Sequence, residues 1–139
     1  MNLNNFTIKS QEAIQKAVEI ASNNSNQSIE TLHLMKGIMN VDGSVAEFLF
    51  NKLGVNSNSL RSSIDREINM LPKVSGGEPY LSRECNEVLV KAEEYSKKSG
   101  DQFVAMESII MAMIMVKNRV RQFLKDVGIS DLISKSNFP

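Results

Sequence analysis

The strongest constraint on the fold of this chain is an internal repeat, found by sliding the sequence against itself. At an offset of 75 residues, similar residues coincide in the pairs Phe6/Leu81, Lys16/Lys91, Ala17/Ala92, Val45/Val120, Phe48/Phe123 and Leu49/Leu124. Two copies of one helical unit are the simplest explanation. Because the chain has only 139 residues, of which 42% are apolar, we expect one compact domain covering residues 1–139.

The residues that mark the beginnings of helices agree with the repeat. Thr7 and Ser82 occupy equivalent places before apolar helical patterns, and a hydroxyl at such a place can accept from unpaired N–H groups of the first turn. Apolar residues then recur at helical spacing in both copies, as Ile14, Ala17, Val18 and Ala21 in the first and as Val88, Leu89, Ala92 and Tyr95 in the second. The first helix of each unit is therefore predicted to be amphipathic.

The sequence predicts an all-α fold of about eight helices in two four-helix repeats, because no segment alternates apolar and polar residues as a strand would. Repeat one is expected at about 6–70, a connector at 71–80 and repeat two at about 81–136. The helices after the first of each repeat are expected at about 31–40, 45–53, 57–70, 106–116, 120–127 and 130–136. Gly54 and Gly128 suit the left-handed residue that closes the third helices, and the prolines and glycines of the connector prevent a helix there.

Charge and apolar patterning disfavour several classes of partner. Sixteen basic residues balance sixteen acidic ones, so there is no positive field to attract nucleic acid or an anionic membrane. The longest apolar run, 109–116, is far too short to cross a bilayer. Cys85 is the only cysteine and the N-terminus lacks a secretion signal, so we expect a cytoplasmic protein without disulfides.

Motifs for catalysis and for metal binding are missing from the sequence. Gly76-Gly77 leads into Glu78-Pro79 rather than into the Gly-Lys-Ser/Thr of a phosphate-binding loop, so we expect no ATP site. A single His33, set between Leu32 and Leu34, is too little for a zinc site and suggests a packed histidine. We predict no catalytic residue, no metal ligand and no cofactor, although a nucleophile–base pair of Cys85 with His33 stays open as an alternative.

Methionines are concentrated in the second helix of repeat two, at Met106, Met111, Met113 and Met115. Thioether side chains adapt their shape to irregular apolar partners, and promiscuous surfaces use this property. We predict that most of these methionines belong to the core, and that any one reaching a groove would suit contact with varied unfolded chains.

The residues described so far, together with three local motifs, carry a family resemblance. The motifs are Phe6-Thr7 at the first cap, the run 32–35 (Leu-His-Leu-Met) and the connector 71–76 (Leu-Pro-Lys-Val-Ser-Gly). With the duplicated unit, they resemble the Clp N-terminal domain, and within that family the ClpB-type protein disaggregases, over about residues 1–130. The resemblance implies a non-enzymatic module of a stress-response AAA+ chaperone that contacts unfolded or aggregated proteins.

The resemblance also implies functional residues. Thr7, Asp101 and Glu107 match positions linked to client handling in the family, and Leu89 matches a leucine of its apolar client groove. Structural roles remain open for all four: the first three can cap or complement helix ends, and Leu89 can be buried. Two residues depart from the family pattern: Lys91, where another groove leucine is expected, and Ser108, after the acid. They suggest a groove that is narrower or that binds more weakly.

The family implies further expectations about the assembly. The full-length protein is expected to be a homohexamer that binds ATP and magnesium in modules absent from these residues, whereas the isolated domain is expected to be a monomer. A second hypothesis keeps the fold but makes the surface a docking site for one folded adaptor, as in the Clp ATPases that serve a protease. The chain is expected to be a domain excised from a longer protein, with a stand-alone homologue as the alternative.

Overall fold

The computed structural model describes residues 2–126, and in this range the chain is almost entirely helical. Repeat one contains α1 (Ile8–Asn23), α2 (Thr31–Val41), α3 (Gly43–Lys52) and α4 (Ser57–Met70), and repeat two contains α5 (Arg83–Lys98), α6 (Met106–Met115) and α7 (Arg119–Asp126). The all-α prediction is confirmed, and the predicted helix bounds in this range hold to within two residues. The predicted last helix at 130–136 and the cap at Gly128 lie outside the described residues.

The same local devices begin and end the first helix of each repeat. The Thr7 hydroxyl accepts from the Ser10 N–H, and the Ser82 hydroxyl accepts from the Cys85 N–H, as the sequence predicts. Both cap residues have nearly the same backbone angles, φ −61° and ψ 160° against φ −63° and ψ 160°. After the helices, Ser25 (φ 56°) and its equivalent Gly100 (φ 79°) are both left-handed. The repeat in the sequence is therefore a repeat of backbone conformation.

Two short strands, which the sequence analysis did not anticipate, join the halves crosswise. β1 (Ser28–Ile29) pairs in parallel with β2 (Tyr80–Leu81), and an isolated parallel bridge joins Phe6 to Val104. The offset of 75 carries Phe6 onto Leu81 and Ile29 onto Val104, so the two pairings are equivalent by pseudo-twofold symmetry. Pairings of two residues are too short to leave an alternating pattern.

One apolar core runs through both repeats. α1 packs most extensively on α2 and α5 on α6, while α2 contacts α5 and α7, and α3 contacts α6. The methionines of α6 follow the core prediction, since Met106 and Met113 are buried and Met111 and Met115 are half-buried. α2 approaches α1 so closely that a Cβ on Gly37 would lie 2.5 Å from the Ala13 carbonyl oxygen.

The connector at 71–80 is exposed but is bonded to the turn that follows α1. The Val74 N–H donates to the Ser25 carbonyl at 2.8 Å, and the Lys73 ammonium donates to the Asn24 carbonyl at 3.0 Å. At its far end, the Tyr80 N–H donates to the Gln27 carbonyl at 3.0 Å. These bonds anchor both ends of the connector to repeat one.

Candidate functional site

The structure contradicts a nucleophile–base pair of Cys85 and His33. Cys85 is buried, and burial raises the pKa of its thiol to about 12, so the reactive thiolate is disfavoured near neutral pH. A helix N-terminus can lower the pKa of a thiol in its first turn, but for Cys85 the effect of desolvation is larger. Both ring nitrogens of His33 are also engaged elsewhere, which leaves neither free to accept a proton from a thiol.

His33 is a packed histidine, as the sequence predicts. Its Nδ1 accepts from the Glu30 N–H at 2.8 Å, and its Nε2 lies 3.0 Å from Oδ1 of Asn26. The Asn26 amide in turn donates to the Pro72 carbonyl at 3.1 Å. Burial lowers the pKa of His33 to about 4, so the ring is neutral near pH 7. This network fastens α2 to the connector.

Thr7 combines its capping role with a place beside the strand bridge. Its N–H donates to the Val104 carbonyl at 3.0 Å, and its hydroxyl accepts from the Ser10 N–H at 3.1 Å. The neighbours of the bridge are apolar and open to solvent, since Ile8 is 70% exposed and Phe103 is 46% exposed. Thr7 thus marks the edge of an exposed apolar region.

Glu107 and Asp101 are both exposed acids, one in the first turn of α6 and the other in the segment between α5 and α6. Glu107 lies in the first turn of α6, three residues after the bridge residue Val104, where its charge complements the helix dipole. Asp101 lies in the turn after α5, and its N–H donates to the Ser96 carbonyl at 3.0 Å. Ala105 is the N-cap of α6, so a capping role for Asp101 is wrong.

Leu89 is completely buried in the core. Its repeat equivalent Ile14 is also buried, at 7% exposure, because the stripes of both first helices face the shared interior. In this conformation Leu89 can contact no client, so the structure supports the structural role that the sequence left open. The repeat in the sequence already indicated burial, because at the offset of 75 Leu89 corresponds to Ile14 in the apolar stripe of the first helix.

A shallow apolar hollow beside Glu107 is the feature that sequence reasoning missed. Its volume is about 400 Å³, and it is lined by Ser44, Val45, Phe48, Leu49 and Glu107. Phe48 is 60% exposed, and the Lys52 ammonium lies 4.7 Å from the centre of its ring. We call this feature the α3–α6 hollow. The exposure of an apolar position on an amphipathic helix depends on tertiary packing, so no local pattern predicts it.

An ion pair holds the start of α3 beside the first turn of α1. The Lys9 ammonium donates to the Asp42 carboxylate at 2.8 Å. Hydrogen bonds from Lys9 and Ser44 lower the pKa of Asp42 to about 2, and the pKa of Lys9 is raised chiefly by Asp42 and slightly by Glu107. Among residues 2–126 Glu107 itself forms no ion pair. Within this range its carboxylate is therefore open to a ligand.

The Lys9–Asp42 ion pair and the Thr7–Val104 hydrogen bond bring the beginnings of α1 and α3 and the segment before α6 into one region of the surface. We call the half-buried Thr7 and the exposed Ile8, Phe48, Phe103 and Glu107 the junction surface. Large exposed apolar side chains beside a free carboxylate are typical of interaction sites rather than of an inert surface. Chemically, such a surface can bind an apolar segment that carries positive charge.

A second, smaller hollow occupies the region where the family resemblance implies a groove. It measures about 220 Å³ and is lined by Asn86, Glu87, Val90, Lys91, Glu94 and Val116. Lys91, the departure noted in the sequence, puts an ammonium among these residues and forms an ion pair with Glu94 at 3.5 Å. The hollow is more polar than the α3–α6 hollow and offers less apolar area.

No group of three His, Cys, Asp or Glu residues within 2–126 is arranged to hold a metal ion. Over the same range, no helix has the length and hydrophobicity that a bilayer span requires.

The cap geometry yields a first prediction. Replacing Thr7 with alanine should lower the free energy of unfolding by about 1 kcal/mol, because the Ser10 N–H loses its acceptor. Ser82→Ala should cost a similar amount, since its cap has the same geometry, and Thr7→Ser should stay close to wild type. Urea unfolding of the three variants measures this, and an unchanged midpoint for Thr7→Ala would contradict the capping role.

Comparison with known proteins identifies relatives of the chain. The sequence profile of the Clp repeat (R) N-terminal domain matches residues 5–127. The chaperone protein ClpB of Bacteroides thetaiotaomicron is 52% identical over 131 residues, which are 94% of this chain and 15% of that protein. The chaperone protein ClpB of Porphyromonas gingivalis is 43% identical over 136 residues, or 98% of this chain and 16% of that protein. The chain thus spans about a sixth of the length of these relatives.

Solved structures show the same fold at low sequence identity. The Hsp104 N-terminal domain from Candida albicans superposes with a TM-score of 0.82 at 21% identity, covering 94% of this chain and 87% of that one. The N-terminal domain of the ClpV1 ATPase from Escherichia coli superposes with a TM-score of 0.77 at 14% identity, covering 98% of this chain and 90% of that one. That of ClpD from Arabidopsis thaliana gives 0.69 at 23% identity, covering 96% and 93%.

Proposed function

The chain belongs to the Clp repeat (R) N-terminal domain family, and we propose from this that it is the client-binding domain of a ClpB-like disaggregase. In this role it contacts unfolded or aggregated polypeptides before a motor carried by other modules acts on them. ATP and magnesium belong to those modules, and the full-length protein is a homohexamer. The isolated domain is a monomer that binds weakly and with little sequence selectivity.

The observation that carries the proposal is the junction surface. Ile8, Phe48 and Phe103 are exposed by 70%, 60% and 46%, although burying each would be favourable by roughly 25 cal/mol per Å². Side chains left open in this way, close to a free carboxylate, suit the exposed apolar segments of an unfolded protein. Asp101, three residues before the bridge residue Val104, adds a further negative charge to the same segment of the chain.

The proposal is tested by titrating the ¹⁵N-labelled chain with reduced, carboxymethylated lactalbumin, which stays unfolded. We expect progressive amide shifts around Thr7, Ile8, Phe103 and Glu107, in the fast exchange typical of weak binding. Native lactalbumin, whose apolar residues are buried, is the control and should cause no shifts. If the unfolded protein also causes none, the client-binding role is wrong.

The adaptor-docking alternative gives a different result in the same experiment. A surface built for one folded adaptor would bind a single partner tightly, in a one-to-one complex, and would be indifferent to unfolded chains. The high identity to two ClpB chaperones favours client binding over this alternative. The likeness to ClpD and ClpV1 is a likeness of fold.

A further inference from the structure

The pseudo-twofold symmetry supplies a twin for the α3–α6 hollow. At the offset of 75, Val45 corresponds to Val120, Leu49 to Leu124 and, in reverse, Glu107 to Leu32. The hollow lies where α3 of repeat one contacts α6 of repeat two, and its twin lies where α7 contacts α2. The same packing contact therefore occurs twice in the molecule, once in each half.

The two contacts differ in how completely they are closed. In the twin, Leu32 is 2% exposed and both Val120 and Leu124 are completely buried. In the hollow, Val45 and Leu49 are only half-buried. The position equivalent to Leu32 is occupied at the hollow by Glu107, whose side chain is exposed to solvent. Among residues 2–126, no apolar side chain takes at the hollow the place that Leu32 takes at the twin contact.

From this asymmetry we infer that the α3–α6 hollow binds an aliphatic side chain of an unfolded client segment, with a Lys or Arg of that segment next to Glu107. The twin contact indicates the kind of group that fits, since the equivalent position there is a buried leucine, Leu32. The free Glu107 carboxylate selects the neighbouring charge, because a cation close to a carboxylate is attracted and a second carboxylate is repelled. This inference rests on the proposed function and defines the sequence preference of its site.

The other charged groups around the hollow are compatible with this ligand. Lys9 is held by Asp42 at 2.8 Å, so its charge is already paired. Lys52 stands over the ring of Phe48 on an exposed, flexible side chain, which an incoming aliphatic group can displace. The hollow therefore has an acidic edge on α6 and a basic edge on α3, and the cation of the client belongs at the α6 edge.

Three short, unstructured peptides with matched Gly-Ser backgrounds test the preference by NMR titration of the full chain. One carries repeated Leu-Arg pairs, the second Leu-Glu pairs and the third Ser-Arg pairs. We expect the Leu-Arg peptide to bind at least about fivefold more tightly than either of the others, with shifts centred on Val45, Phe48 and Glu107. Equal affinities for the three peptides, or shifts centred elsewhere, would overturn the inference.

Variants separate the two parts of the site. Glu107→Leu places a leucine at the position equivalent to Leu32, so it should close the hollow and abolish binding of the Leu-Arg peptide, with a midpoint of urea unfolding at or above that of wild type. Glu107→Gln should remove the preference for Arg over Glu but keep the preference for Leu over Ser. Phe48→Ser should weaken the binding of both the Leu-Arg and the Leu-Glu peptide. Unchanged binding in Glu107→Leu, once its folding is verified, would contradict the inference.

Matched controls exclude general effects of charge and of apolar area. Glu84 is an exposed acid in the first turn of α5, so Glu84→Gln loses the same helix-end charge away from the hollow. Val90 is 42% exposed in the second hollow, and Val90→Ser is the control for Phe48→Ser. Both controls should bind the Leu-Arg peptide as wild type does, and a loss as large as that of the hollow variants would contradict the assignment.

Two further outcomes keep this inference separate from the proposed function. If carboxymethylated lactalbumin binds equally well to wild type and to Glu107→Leu, the inference about the α3–α6 hollow is wrong, while the proposed client-binding function stands. If no unfolded protein binds but the labelled chain self-associates through the hollow in sedimentation experiments, the occupant is a second copy and both proposals fail.

Discussion

Replacing Gly37 with alanine is expected to lower the free energy of unfolding by about 3 kcal/mol, as is typical of severe overpacking. Alanine is intrinsically better than glycine in a helix by about 1 kcal/mol, so the steric cost must exceed this gain. It does so because the new Cβ would lie 2.5 Å from the Ala13 carbonyl oxygen and 3.1 Å from the Ala17 nitrogen. Both are backbone atoms of α1, so no side chain can rotate away.

Gly43→Ala is the matched control for this prediction. Gly43 is the first residue of α3, and a Cβ placed there would have no neighbour within 4 Å. This substitution should leave the chain as stable as wild type or raise its stability by up to about 1 kcal/mol. Urea unfolding followed by circular dichroism measures both variants. If Gly37→Ala were as stable as Gly43→Ala, the described approach of α1 and α2 would be wrong.

The second large effect is a loss of stability on acidification, caused by His33. Its pKa is about 4 in the folded chain, mainly because burial disfavours the charged ring, although the Glu30 carboxylate opposes the shift. The unfolded value is about 6.5. Because the unfolded state binds the proton first, stability is fully present above pH 6.5 and falls as the pH drops towards 4. Between pH 7 and pH 5 the loss is about 2 kcal/mol.

The hydrogen bonds of His33 explain why protonation is unfavourable in the folded state. A neutral ring protonated at Nε2 can donate to Asn26 and accept from the Glu30 N–H at Nδ1. A second proton, at Nδ1, would face that N–H and break the bond, which also weakens the link through Asn26 to Pro72. Acid should therefore loosen the attachment of the connector.

Urea unfolding at a series of pH values measures the effect. His33→Gln, which cannot titrate, should be less stable than wild type at pH 7, but its free energy of unfolding should hardly change between pH 7 and pH 5. Asp42, with a pKa of about 2, titrates below this window and should not contribute to it. A wild-type stability that does not change between pH 7 and pH 5 would contradict the neutral, buried state of His33.

Much of the helical architecture could be predicted because its signals are local. The hydroxyl caps at Thr7 and Ser82, the left-handed Gly54 (φ 74°) and the prolines of the connector each act within one turn of the chain. The offset of 75 then transfers each observation from one repeat to the other. For this reason the helix bounds agree with the structure within the described residues.

The functional surface was harder to predict because exposure is decided by contacts between distant segments. The stripe that contains Leu89 fits either a core or a groove, and only the packing of α5 on α6 places it in the core. Phe48 and Leu49 belong to an equally apolar stripe, yet they line an open hollow whose other wall is Glu107, far along the chain. No pattern within a single helix contains that information.

The crosswise pairing of Phe6 with Val104 and of Ile29 with Leu81 means that neither half of the chain is complete without the other. The segment that leads into each first helix is bonded to the opposite half, and each half would be left with unpaired backbone groups if it were isolated. A chain severed at the exposed Gly76-Gly77 turn should therefore give two fragments that reassemble as a pair.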